Sequence, residues 1–366
     1  MGLENLPRWT LRFACLLVLQ SYVLQGLYPG ILLNDLMSSF PPYFSGSVQA
    51  TGFGSSTTAF EVAKANEAEF AELKTVIITG ANSGIGFETA RVLAHFGAEV
   101  ILACRSVDKA AKAVTIIKSE SPKANLTPMT LDTSSLKSVH EFAVAFKKKW
   151  DSLDVLVLNA GVMAPPPSKS VDGIEIQFAT NHLGHFLLTE LLKQPLKNAG
   201  SARVITTSSF AHAFPPPEGL ITDGTFGFGS GSGATQESWN CYGQSKLANI
   251  LHAKELQRRA VKGSSKGVDS WTGIAAYSLN PGFVRTNLQA HWPIIATLED
   301  TIARPLVKNV QQGAATTVFC ALDPQAVPGA YHEDCSVKPV YHAHAANDTL
   351  ALSLWEESLR LVSDYL

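Results

Sequence analysis

The chain has 366 residues, 46% of them hydrophobic and 16% charged, with a formal net charge of −2, enough to bury a sizeable core in one large domain or two ordinary ones. No basic cluster exists beyond Lys147 to Lys149, which argues against a nucleic-acid partner. The five cysteines (Cys15, Cys104, Cys241, Cys320, Cys335) are scattered, with no CxxC pair, which argues against zinc and a disulfide framework and fits a reducing compartment.

In chain order, Phe13 to Leu33 comes first, a charge-free run of 21 residues preceded by Arg8 and Arg12. Its length suits a bilayer span of ~20 residues with a cytoplasmic N-terminus. Its Gln, Ser, Gly and Pro content makes it only moderately apolar, so a secretory signal is the second reading and a buried or disordered leader the third. Association of residues 13–33 with the cytoplasmic face of an intracellular membrane, or a cytoplasmic protein, are the resulting expectations. Met37 to Thr58, rich in Ser, Gly, Pro and Phe, reads as a linker, so residues 1–60 are taken as leader and 61–366 as one domain. Glu61 to Glu72 reads as a short helix.

From Thr75 the pattern becomes an alternation. Apolar β-forming runs are expected as strands at Thr75–Thr79, Glu99–Ala103, Leu126–Thr130, Val155–Leu158, Arg203–Thr207 and Gly273–Leu279. Helices are expected at Ile85–Phe96, Val107–Glu120, Ser135–Trp150, Gly173–Asn198 and Trp239–Val261. This order implies an α/β domain, a doubly wound parallel sheet with helices on both faces. Ligands of such sheets sit beyond the carboxyl ends of the strands. Near the C-terminus, Leu352, Trp355, Leu359, Val362 and Leu366 recur at helical spacing and read as a packing face.

The first strand runs into Thr79-Gly80-Ala81-Asn82-Ser83-Gly84-Ile85-Gly86 and then a helix. That context makes Gly80, Ser83, Gly84, Ile85 and Gly86 a candidate pyrophosphate cradle, with unpaired N–H groups at the helix start. The second strand ends at Arg105, where an acidic residue would mark NAD. A guanidinium suits a 2′-phosphate, so NADP(H) is expected over NAD(H). Asp132, after the third strand, is placed to accept from the adenine amino group. Asn159-Ala160-Gly161, after the fourth, lets the chain pass close to a cofactor.

Tyr242 and Lys246, at i and i+4 in an expected helix, share a face. A neighbouring ammonium is expected to lower the phenol from its usual ~10 and make Tyr242 a proton donor or acceptor for a carbonyl or alcohol. Ser209, after the fifth strand, is placed to hydrogen-bond the same oxygen. Phe210, Phe214, Phe226 and Phe228, in the long stretch between Ser209 and Tyr242, line an apolar pocket or pack the loop; Phe283 and Leu288 to Trp292 are candidates for the opposite wall. These features suggest a lipophilic alcohol or carbonyl. His182, His185 and His291 read as structural or surface residues.

Thr79 to Gly86, Asn159 to Gly161, Asn181, Ser209, Tyr242, Lys246 and Asn280-Pro281-Gly282 together resemble the motif set of the short-chain dehydrogenase/reductase superfamily, over about Leu73 to Val340. The resemblance implies a single Rossmann-type domain. It also implies that Asn181 holds a water in a proton relay, that Lys246 binds the nicotinamide ribose, and that Pro281, Gly282 and Thr286 border the nicotinamide. A homodimer is the superfamily expectation. Thr79 to Ala90, Val100 to Arg105, Asn181 to Phe186 and Gln311 to Thr317 resemble the WW domain-containing oxidoreductases and retinol dehydrogenases, which points to a retinoid, steroid or aldehyde. No WW module is legible in Met1 to Phe60, which holds only Trp9, so recognition of proline-rich partners is not implied. The rival reading is an interaction or signalling protein that keeps the fold with little turnover. Against it, Asn181, Ser209, Tyr242 and Lys246 are all present.

Overall fold

The computed structural model describes residues 49–216, 218–221, 225–227, 229, 234–262, 271–286 and 307–366. Phe13 to Leu33, Phe228 and Leu288 to Trp292 lie outside these. Among the described residues, no helix is long and apolar enough to cross a membrane.

The elements in chain order are α1 (Ala59–Ala65), β1 (Thr75–Thr79), α2 (Gly84–His95), β2 (Glu99–Cys104), α3 (Val107–Glu120), β3 (Asn125–Thr130), α4 (Leu136–Lys147) and β4 (Val155–Leu158). They continue with α5 (Ile176–Phe178), α6 (Gly184–Leu191), α7 (Lys193–Asn198), β5 (Ala202–Thr207), α8 (Ala234–Lys262), β6 (Ile274–Leu279), α9 (Val310–Gly313), α10 (Ala315–Leu322), β7 (Tyr331–Glu333), β8 (Ser336–Lys338) and α11 (Asp348–Val362). The strands form one sheet in the order β3-β2-β1-β4-β5-β6-β7-β8. All pairs are parallel except β7 with β8. The order reverses on either side of β1, so the crevice beyond the ends of β1 and β4 is the switch point where such sheets bind ligands.

The central strands are mostly apolar and buried because both faces are covered. Val76, Ile78, Val100, Leu102, Val155 and Val157 join one core layer with α1, α2, α3 and α10. Ile77, Ile101, Leu156 and Leu158 point the other way, into a layer with α4, α6, α8 and α11. Successive residues of a strand thus feed opposite cores, as the period of two requires.

Four expectations are corrected. The helix expected over Gly173–Asn198 is broken. Gly173 takes φ +81°, the Glu175 carboxylate caps α5 by accepting from the Gln177 and Phe178 N–H groups, and a π-helical turn (Ala179–Leu183) separates α5 from α6. A second break at Leu192 precedes α7. The buried face of α11 is Ala351, Leu354, Trp355, Ser358 and Val362, rotated from the expected stripe. Ser358 belongs to that face because its hydroxyl is hydrogen-bonded to His182 Nε2 (2.9 Å), while Leu366 lies beyond the helix and is exposed. Residues 49–58, read as linker, pack on the domain. Phe53 meets Phe319 edge-on, and Thr58 and Glu61 form a reciprocal capping box that starts α1. Lastly, β7 and β8 extend the sheet beyond the six expected strands.

Candidate active site

The nucleotide end is built on β1, β4 and the start of α2. Gly80 takes φ +68°, and a Cβ there would meet Ala160 Cα at 3.0 Å. At Gly86 a Cβ would lie 2.5 Å from Asn159 Nδ2 and 2.6 Å from the Gly80 carbonyl oxygen. The glycine turn is therefore locked against Asn159-Ala160, and Asn159 Nδ2 donates to the Thr79 carbonyl (2.9 Å). Ser83 precedes α2 without a side-chain cap, which leaves the first-turn N–H groups available to a phosphate. Thr286, after β6, lies close enough to Gly84 that a Cβ there would be 3.2 Å from its methyl, so the far wall of the crevice reaches the glycine turn. This cradle fits a dinucleotide.

Arg105 is exposed just past β2. Asp132 accepts from the Ser134 N–H (3.0 Å) and hydroxyl (2.6 Å), and its own N–H is held by Ser138. Both stand at the carboxyl edge of the sheet, where the sequence put them. Asn280 donates through Nδ2 to Glu333 (2.7 Å) and accepts from the Gly282 N–H (3.1 Å), which shapes the Pro281-Gly282 turn.

The catalytic end centres on α8. Tyr242 is buried, and the Ser209 side chain lies near enough to its phenol to act on it. Lys246 Nζ lies 5.7 Å from the Tyr242 ring centroid and donates to the Thr207 carbonyl (3.1 Å). The expected lowering of the Tyr242 phenol by Lys246 is not what the structure shows. Burial pushes the phenol up to about 12 against the opposing Ser209 hydrogen bond, and burial lowers Lys246 to about 8. The ammonium points at the Thr207 carbonyl instead of the phenol. Asn181, inside the π-helical turn, accepts through Oδ1 from the Val162 N–H (2.8 Å) and donates through Nδ2 to the Val162 carbonyl (3.0 Å) and Ser245 Oγ (2.9 Å). A Cβ at Gly161 would lie 3.1 Å from Asn181 Oδ1 and 3.6 Å from Lys246 Nζ. The structure thus gathers Asn159 to Gly161, Asn181, Ser209, Tyr242 and Lys246 around one crevice.

Ala164, Ala211, Trp239 and Tyr242 form an apolar cluster with Met163 packed against it. Phe210 stands edge-on to Phe214 and Tyr341 and tilts against the exposed Phe283. Phe226, by contrast, is fully buried and stacked on Phe178 (centroids 4.1 Å apart), so it packs the loop.

Three groups escaped the sequence reading. His212 Nδ1 is 2.7 Å from the Ser209 carbonyl and its Nε2 accepts from the Tyr341 N–H (3.1 Å). The buried Glu333 accepts from Tyr331, Tyr341 and Asn280. Lys308 pairs with Asp334 (2.5 Å) beside Gly282. Each of the three also has a partner from far along the chain (Tyr341 for His212, Asn280 for Glu333, Asp334 for Lys308), which no local pattern announces.

A strand order that reverses beside β1, a glycine turn packed on Asn159, and a buried tyrosine–lysine pair beside a serine define a nicotinamide-dependent oxidoreductase of the short-chain class. Comparison with known proteins agrees. The model of the short chain dehydrogenase family matches residues 74–220. The WW domain-containing oxidoreductase of Homo sapiens is 40% identical over 319 residues, covering 86% of this chain and 73% of that protein. Retinol dehydrogenase 12 of Mus musculus is 39% identical over 292 residues, covering 79% and 86%. A crystal structure of a Mycobacterium paratuberculosis protein superposes with TM-score 0.61 at 32% identity, covering 79% of this chain and 93% of that one. The chain belongs to the short-chain dehydrogenase/reductase family.

Proposed function

We propose that this protein interconverts an alcohol and a carbonyl on a small lipophilic substrate, a retinoid, steroid or aldehyde, with NADP(H) taken in preference to NAD(H). The observation that carries the reading is the buried Tyr242 beside the half-buried Ser209, set against an apolar wall with Lys246 one turn along the same helix. Bound NADPH supplies the hydride. In the reducing direction Tyr242 gives its proton to the carbonyl oxygen as that oxygen gains charge, and Ser209 donates a hydrogen bond to the same atom. The phenol's burial keeps it protonated at neutral pH, the form a proton donor needs. Lys246 binds the nicotinamide ribose and supplies positive charge near the phenolate that proton transfer leaves behind. Asn181 orients Val162 and Ser245 on the two sides of the crevice, and Pro281, Gly282 and Thr286 border the nicotinamide.

The NADP(H) preference rests on Arg105, which is exposed at the end of β2 and suited to a phosphate. The lipophilic substrate is favoured by Met163, Ala164, Ala211 and Trp239 around Tyr242, and by the likeness to a protein named retinol dehydrogenase. The test is nicotinamide-fluorescence titration with NADPH and NADH for wild type and Arg105→Ala. The expected result is tight NADPH binding that weakens roughly 10- to 100-fold in the variant, as loss of a charge-assisted hydrogen bond implies, with NADH little changed. A folded wild type that binds neither nucleotide would sink the reading.

A further inference from the structure

His185 reads from the sequence as a structural histidine, yet it stands between the nucleotide turn and the catalytic helix. Its Nε2 lies 2.9 Å from Thr79 Oγ1 and its Nδ1 lies 3.0 Å from the Asn181 carbonyl oxygen. The Thr79 hydroxyl accepts from the Asn159 N–H and the Ala160 N–H, each at 2.9 Å, and these two bonds fill its lone pairs. Its proton must therefore point away, either to His185 Nε2 or to the Val157 carbonyl at the longer distance of 3.4 Å. The Asn181 carbonyl can only accept, so His185 Nδ1 carries a hydrogen. One tautomer satisfies every atom: Nδ1–H donates to Asn181, and bare Nε2 accepts from Thr79. The other neutral tautomer sets two lone pairs face to face at Asn181 and presses a third donor on Thr79. The imidazolium repeats the fault at Thr79 and places a second cation near Lys246. The ring is 1% exposed.

We propose that His185 is a positioning residue, a single fixed imidazole tautomer that ties the nucleotide turn to the catalytic helix. The inference rests on the nucleotide-binding reading above. The chain of bonds runs from Thr79 through His185 to Asn181, then through the Asn181 amide to Ser245 on the helix that carries Tyr242 and Lys246. At the near end, Thr79 holds the Asn159-Ala160 backbone that packs on the glycine turn. Loss of either Thr79 or His185 breaks the same link.

The test is NADPH titration by nicotinamide fluorescence on the full chain, with thermal unfolding run beside it. The variants are Thr79→Val, His185→Phe, their double, and the conservative Thr79→Ser. Each deletion is expected to weaken NADPH about tenfold, the double to be no weaker than the worse single, and Thr79→Ser to stay within about threefold of wild type. Single effects that multiply to about a hundredfold in the double, or variants that bind as wild type does, would overturn the proposal. Should the variants fold poorly, the wild type still decides. Its imidazole ¹⁵N spectrum, assigned by the signal missing from His185→Gln, is expected to report a neutral Nδ1–H ring whose Nε2 resonance moves on NADPH addition. An Nε2–H ring or an imidazolium at pH 7 overturns the proposal. A wild type that binds neither NADPH nor NADH removes the nucleotide reading itself, a result distinct from intact binding by the variants.

Discussion

Mild acid is expected to unfold this protein through its buried histidines. His185, His212 and His332 are each lowered by burial from 6.5 to about 4, and His252 to about 3. For a base whose folded value is depressed, the unfolded chain binds more protons between the two values. Stability is therefore fully present above pH 6.5 and is lost as the pH falls toward 4. At pH 5, 1.5 units below the unfolded value, each histidine withholds a proton at a cost of roughly 2 kcal/mol. Four such groups cost roughly 8 kcal/mol. Glu175 works in the opposite sense: burial raises it to about 7, so its folded form gains protons first and recovers roughly 2 kcal/mol. The net loss between pH 7 and pH 5 is on the order of 6 kcal/mol, comparable with the whole stability of many domains. Urea unfolding followed by tryptophan fluorescence at half-unit pH steps measures it. The midpoint should fall steeply below pH 6.5 with a slope of about three protons, and His252→Phe should remove about one of them. A midpoint that holds steady or rises from pH 7 to pH 5 would refute the reasoning, because it would mean that these rings titrate in the folded state or lie open to water.

Gly86→Ala should destabilise by about 1–3 kcal/mol and abolish NADPH binding, although a helical Gly→Ala exchange ordinarily stabilises, because the new methyl meets Asn159 Nδ2 at 2.5 Å and the Gly80 carbonyl at 2.6 Å. Thermal unfolding and nucleotide titration read both effects. Tyr242→Phe should keep nucleotide affinity within about threefold while lowering the rate of carbonyl reduction roughly 10²- to 10⁴-fold on whichever carbonyl the wild type reduces, the range for a lost general acid. Burial lowers Lys246 from 10.5 to about 8, so it is charged below that value and neutral above it. In the free protein the pH dependence of NADPH affinity should show a fall centred near pH 8, and Lys246→Arg should carry that fall to higher pH.

The parts of the fold that were legible are those written in local pattern. Thr75–Thr79 is a strand because five consecutive buried positions face two helical layers, and such a run needs no knowledge of its partners. Tyr242 and Lys246 were legible for the same reason: a helical repeat alone puts them on one face. What stayed hidden depends on residues that meet only after folding. β7 and β8 are three residues each, too short for a period of two to declare itself. Ser358 enters the core because His182 lies opposite it, and Glu333 is tolerated inside because Asn280, Tyr331 and Tyr341 converge on its oxygens.

The phenol of Tyr242 follows the same logic. Sequence spacing correctly placed an ammonium one turn away, yet spacing does not say where Nζ points, and here the Thr207 carbonyl claims it. The site is thus doubly specified. Its residues are set by motifs a few residues long, and the ionisation of Tyr242 and Lys246 by burial that exists only once the chain has folded. A substitution can leave every motif intact and still move both ionisations by opening these two side chains to water.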